Sequence, residues 1–192
     1  MKLITFLLFF VGLTLQGYSQ NLIDLTLRYS AAQNRYEVYA RPTFTQAQFN
    51  WGSSQVSIVT PATSVSNTAF TVTSYFGGSW DDASQVYAPL SAPGSDFHGI
   101  SSQGKKVDLV ANQELLLFSF TLPLSVCVSG LRLFVNGGDP NSGATGMQGG
   151  DFTNVIYTTS ISQSQTNVFQ MVYANSGTSC TVCNLVAPSL SK

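Results

Sequence analysis

Along most of this chain apolar and polar residues exchange sides at every second position, and Gly, Pro, Asn and Ser break the pattern about every 8 to 12 residues. That period belongs to a strand with one face in a core and the other in water, and it excludes amphipathic helices as the main element. Ile23, Leu25, Leu27 and Tyr29 point one way, and Asp24, Thr26 and Arg28 the other. Four turn formers, Ala31 to Asn34, lead into Tyr36, Val38 and Ala40 alternating with Arg35, Glu37 and Tyr39, until Pro42 stops the strand. The result is a hairpin whose polar face carries opposite charges able to pair across the strands. Further strands are predicted at 47–51, 55–60, 69–76, 85–90, 96–100, 107–110, 131–135, 152–158 and 167–174. The apolar run Leu115 to Leu122 reads as a central strand. Short strands at this spacing predict an all-β fold, a two-sheet antiparallel β-sandwich of jelly-roll or Ig-like type.

Composition narrows the partners. Charged residues make up 9% of the 192, against about 25% in an average soluble protein. Ser, Thr, Asn and Gln together number 67, so neutral polar groups must solvate the surface. Of 8 basic residues, Lys2 belongs to a signal segment, which leaves 7 against 9 acidic and a net charge of −2. So weak and evenly spread a charge holds no phosphate backbone, and nucleic acid is excluded as a partner. With 44% hydrophobic residues the chain has ample apolar surface for a core and is not a disordered segment.

The N-terminus reads as an export signal covering residues 1–19. Met1 and Lys2 give a positive start, Leu3 to Leu15 an apolar stretch, and Gly17-Tyr18-Ser19 a small-x-small cleavage site. About 13 apolar residues fall short of the roughly 20 a membrane span needs, and no other run approaches that length. The expected location is therefore extracellular or on the outer cell surface, with the periplasm as the alternative. In such a compartment Cys127, Cys180 and Cys183 should form at least one disulfide. A Cys127–Cys180 bridge closes a loop of about 54 residues and stabilises by roughly 4 kcal/mol, whereas Cys180–Cys183 contributes about 2, so the long bridge is expected. The Cys-x-x-Cys spacing lacks both the βαβ setting of a redox pair and the second ligand pair of a zinc site. Residues 20–174 should form the sandwich and 175–192 a Cys-containing linker or tail, of the kind that leads to further domains in a longer chain.

A hairpin opening, a strand with Trp51-Gly52 and Val56-Ser57-Ile58-Val59, then Asn112-Gln113-Glu114-Leu115-Leu116-Leu117-Phe118-Ser119-Phe120 and Gly130-Leu131-Arg132-Leu133-Phe134 resemble the strand order of cohesin-like modules. The resemblance spans roughly 22–159. It implies a nine-stranded jelly roll in an exported bacterial protein that binds another protein or tethers an assembly. Secreted carbohydrate-binding modules share the architecture, so fold alone does not choose between them.

Catalytic groups are scarce. There is one histidine, His98, with Asp96 two residues away, and no Gly-x-Ser-x-Gly elbow. A glycoside hydrolase would need Asp81 or Asp82 to face Asp96, but within Gly77-Gly78-Ser79-Trp80-Asp81-Asp82 the adjacent carboxylates read as turn caps. The Gly-rich loop 136–151 spaces Asp139 and Asn141 as calcium ligands are spaced, with Asp151 able to close the ring, yet Ala144 and Gly150 break the EF-hand pattern. Calcium is thus the one cofactor that loop suggests. Trp80, set in a loop, together with Tyr75, Tyr87 and Phe97, could form an aromatic platform for sugars. The expected function is a non-catalytic binding module for adhesion or assembly whose partner at the cell surface is a protein or a polysaccharide. The protein-binding alternative predicts a flat, bland Ser/Thr/Asn/Gln sheet face, and the polysaccharide alternative predicts grooved aromatics that include Trp80.

Overall fold

The computed structural model describes residues 21–62, 67–123, 126–159 and 164–180; residues 1–19, expected to be an export signal, Cys183 and the 181–192 part of the expected tail lie outside them. Among the described residues there are twelve strands and no α-helix. The strands are β1 (Ile23–Ser30), β2 (Arg35–Pro42), β3 (Gln46–Pro61), β4 (Thr71–Ser74), β5 (Trp80–Tyr87) and β6 (Ser95–Ser102). They continue with β7 (Lys105–Leu109), β8 (Leu115–Thr121), β9 (Arg132–Leu133), β10 (Val155–Thr159), β11 (Gln165–Asn167) and β12 (Phe169–Val172). One sheet runs β12-β1-β2-β8-β4 and the other β11-β10-β3-β6-β5, with β7 and β9 also paired to β3. The two pack face to face as a β-sandwich, as the alternation predicts.

The opening hairpin has the expected register, Ile23 opposite Pro42 through Ser30 opposite Arg35. Its inner residues join Phe118, Phe120, Val56, Ile58, Ile100 and Trp51 in the main core. The run expected to be two strands, 47–51 and 55–60, is one, β3, sixteen residues long. Within it, a Cβ on Gly52 would lie 2.9 Å from the Tyr157 carbonyl oxygen, so the glycine lets β10 approach. The expected strand 167–174 is instead divided by buried Val168, with β11 in one sheet and β12 in the other.

Within 136–151, Gly146 and Gly150 permit close packing, since a Cβ would fall 2.5 Å from the Leu90 nitrogen and 2.9 Å from the Phe152 ring, respectively. Their loop folds over the outer face of the second sheet, where Met147 and Phe152 cover Val59, Val86, Phe97 and Phe134 in a second buried cluster. Cys127 and Cys180 are bonded, as expected. Residues 175–180 still belong to the sandwich: Asn175 exchanges hydrogen bonds with the Leu133 backbone, and Thr178 bonds to Leu131 and Gly130.

Candidate binding cleft

A cleft of about 600 Å³ opens between the β4–β5 connection, 74–79, and the start of β7, 104–107. Its depth depends on glycine. Gly78 has φ +110° and Gly104 φ +83°, and a Cβ on Gly78 would fall 2.5 Å from Ser102 Oγ and 3.0 Å from the Gly104 backbone. Side chains at either position would force the two segments apart.

Trp80 supports this connection from below. It was expected in a loop and exposed; it is the first residue of β5 and only 3% exposed, packed on Phe118. The strand continues to its position because Trp80 pairs with Ser102 across the sheet and its even-numbered phase faces the core. Its backbone N–H donates to Ser74 Oγ at 2.8 Å and its indole Nε1–H to the Phe76 carbonyl at 2.7 Å, so the indole fixes the connection and offers no face to a ligand. Trp51 supports the same segment, lying edge-on to Phe76 and under Gly77.

Tyr75, by contrast, is 48% exposed and lines the cleft. Its ring does not swing freely. Arg35 donates to its hydroxyl at 2.7 Å and its guanidinium lies 5.3 Å from the ring centroid. Arg35 in turn is held by Glu37 at 2.7 Å, and Glu37 accepts from the Tyr39 hydroxyl. The chain of contacts continues across the outer face of the first sheet. Arg28 lies over Tyr39 and makes a two-pronged pair with Glu114, which also accepts from Tyr173. Arg41 stacks over Tyr173 at 4.1 Å and pairs with Asp24. This sheet face is a ladder of Arg, Tyr and carboxylate, not the bland surface expected of the protein-binding alternative. The ladder sets ionisation: the Arg28 hydrogen bond lowers the Glu114 carboxyl below its ordinary value, and burial followed by the Glu114 contact raises the Tyr173 phenol.

Two cations complete the cleft. Lys105 and Lys106 are exposed and line it, no acidic side chain does, and Ser79 adds a hydroxyl.

The other expected aromatic residues lie elsewhere. Tyr87 ends β5, seven positions from Trp80 and so roughly 23 Å along the strand. Phe97 is fully buried on the opposite face, beneath the Gly-rich loop. No platform of Trp80, Tyr75, Tyr87 and Phe97 therefore exists; of the four, only Tyr75 reaches the cleft.

The calcium ligands do not converge either. Arg132 binds both Asp139 oxygens at 2.6 and 2.7 Å, the place a cation would take, and Asp139 also accepts from the Val135 N–H. Asn141 caps Gly143, and Asp151 holds Thr153. Among the described residues no group of three or more His, Cys, Asp or Glu could hold a metal.

Asp81 and Asp82 do not cap a turn. They are strand residues on opposite faces, Asp81 exposed and Asp82 buried. Asp82 Oδ2 lies 2.8 Å from His98 Nδ1 and accepts from the Phe70 N–H. His98 is fully buried and stacked on Phe70, and Asp96 is 1% exposed, bonded to the Ala88 N–H. The histidine's partner is thus sixteen residues away in sequence, a pairing that only the β5–β6 register reveals.

Comparison with known proteins finds no family model, no curated protein and no solved structure that matches the chain.

Proposed function

We propose that this chain is the non-catalytic binding module of an exported cell-surface protein, and that its cleft holds a segment of polysaccharide. The observation that carries this reading is Tyr75: a half-exposed ring, fixed by Arg35, beside a hydroxyl and a glycine floor. An aromatic face covers the C–H face of a sugar, and a ring already ordered loses little entropy when it does so. The signal-like N-terminus and the Cys127–Cys180 bridge favour an oxidising compartment outside the cytoplasm. Tyr75→Ala should weaken retention on the bound polysaccharide in affinity electrophoresis by about tenfold, with the urea midpoint nearly unchanged because the side chain is half in water. Unaltered retention would remove the cleft as the site.

A second reading, cohesin-like protein binding or tethering, would use the ladder in place of the flat, bland face expected of it. Arg and Tyr are the residues that most often anchor protein interfaces, and here three of each are aligned on one sheet face. Pull-down of a defined partner that Arg41→Ala abolishes and Tyr75→Ala preserves would select it.

A further inference from the structure

We infer that the polysaccharide held in the cleft is acidic, carrying carboxylate or sulfate groups along its chain; the inference rests on the glycan reading above and adds the ligand's charge. It starts from where cations stand in a protein that has few. Arg28, Arg35, Arg41 and Arg132 each have a carboxylate partner. Lys105 and Lys106 have none among the described residues, both are exposed, and both line the same cleft. Asp108, the nearest acid on β7, is engaged by the Gln48 N–H. No carboxylate lines the cleft to neutralise the pair. Lys105-Lys106 is also the only place where two basic residues are adjacent.

Adjacent on β7, Lys105 shares the phase of buried Val107 and Leu109, and Lys106 that of exposed Asp108, so the two bracket the mouth of the cleft. Uncompensated positive charge there raises the local concentration of anions and repels cationic ligands. The remaining lining, Tyr75 with Ser79, supplies a ring face and a hydroxyl, the contacts that a sugar ring makes and an extended acidic peptide uses less. A uronate or sulfated sugar satisfies both halves of the site, with its ring on Tyr75 and its anion toward the lysines.

The test uses the disulfide-bonded chain against acidic polysaccharides (polygalacturonate, alginate, chondroitin sulfate, carrageenan) and neutral ones (fully methyl-esterified pectin, agarose, xylan), with poly-glutamate as the peptide control. The wild type should bind at least one acidic polymer about tenfold more tightly than any neutral one, and raising the salt should weaken that binding. Lys105→Gln/Lys106→Gln should abolish the preference while the thermal midpoint holds, since neither side chain is buried. Equal binding of acidic and neutral polymers, weakened by Tyr75→Ala, would overturn the charge inference and leave the glycan reading standing. Binding of poly-glutamate alone, lost in the double lysine variant, would overturn both in favour of an acidic peptide. Absence of binding to every polymer would overturn both as well.

Discussion

At the scale of the residue, the candidate site turns on which way two aromatic side chains face. Tyr75 and Trp80 both flank Gly77-Gly78, and sequence favours the tryptophan as the ligand contact because it is larger and reads as a loop residue. The fold reverses the two roles. Trp80 opens a strand and faces the core, while Tyr75, one position beyond β4, is outward and held by Arg35. Trp80→Ala should therefore act through stability. Removing a buried indole leaves a cavity and costs about 3 to 5 kcal/mol, and the Phe76 carbonyl loses its indole donor, while the backbone bond to Ser74 stays available. Trp80→Phe keeps most of the volume and loses the 2.7 Å indole bond, and should cost nearer 1 to 2 kcal/mol by urea denaturation. If either variant remained as stable as the wild type yet lost polysaccharide binding, Trp80 would be a contact after all. Strand phase was legible from the sequence wherever alternation was clean. It failed at 77–80 because two glycines carry no information about facing, and the first residue of a strand is fixed by its cross-strand partner, here Ser102.

At the scale of the element, the hairpin β1–β2 was the most legible part of the chain, because its turn, alternation and Pro42 all agree. Its charges were less so. Asp24 and Arg41 pair directly across the strands, as expected, but Arg28 faces Glu37 in the register and bonds to Glu114 instead, leaving Glu37 to Arg35. That exchange needs β8 alongside β2 and Glu114 just before it, which no local pattern encodes. It gives the ladder an acid dependence. Glu114 is held below its ordinary value of 4.5, first by the Arg28 hydrogen bond. A carboxyl whose folded pKa is depressed stabilises the fold fully above its unfolded pKa and loses that contribution as pH falls through the folded one. The loss therefore begins as pH drops below 4.5. Because the pair is partly in water, its size is about 0.5 kcal/mol. Glu114→Gln should lower the urea midpoint near neutrality and converge with the wild type in acid; parallel curves over the whole range would mean that this pair contributes nothing. The Gly-rich loop illustrates the same limit on local reading. Its ligand-like spacing was real, but Asp139 meets Arg132 and Met147 meets Phe97's cluster, contacts set by the sheet beneath it.

At the scale of the whole molecule, the sandwich holds two buried clusters on either side of the second sheet, and buried or bonded phenols tie the first sheet to its neighbours. Tyr36 donates to the Val128 carbonyl and accepts from its N–H, joining β2 to the segment that carries Cys127. Burial raises the phenols of Tyr36, Tyr39, Tyr87 and Tyr173 above the ordinary 10.0. A raised folded pKa means stability that is complete below the unfolded value and falls as pH climbs through the folded one, so the protein should begin to weaken above pH 10.0. Tyrosine absorbance and circular dichroism followed together should change in one transition; phenols that ionise with the fold intact would show that these rings do not hold it. The Cys127–Cys180 bridge acts on the same joint from the other side. It spans 53 positions and connects the segment against Tyr36 to the chain just beyond β12, the strand that pairs in parallel with β1. Closing a loop of that length removes unfolded-state entropy equivalent to about 4 kcal/mol. Cys127→Ser/Cys180→Ser should lower the unfolding free energy by roughly that amount, and hydrogen exchange should open first at β12 and at residues 128–133, while β3 and β6, held by the core, keep their protection. A uniform rise in exchange across both sheets would instead mean that the bridge sets the stability of the fold as one unit and anchors no particular edge.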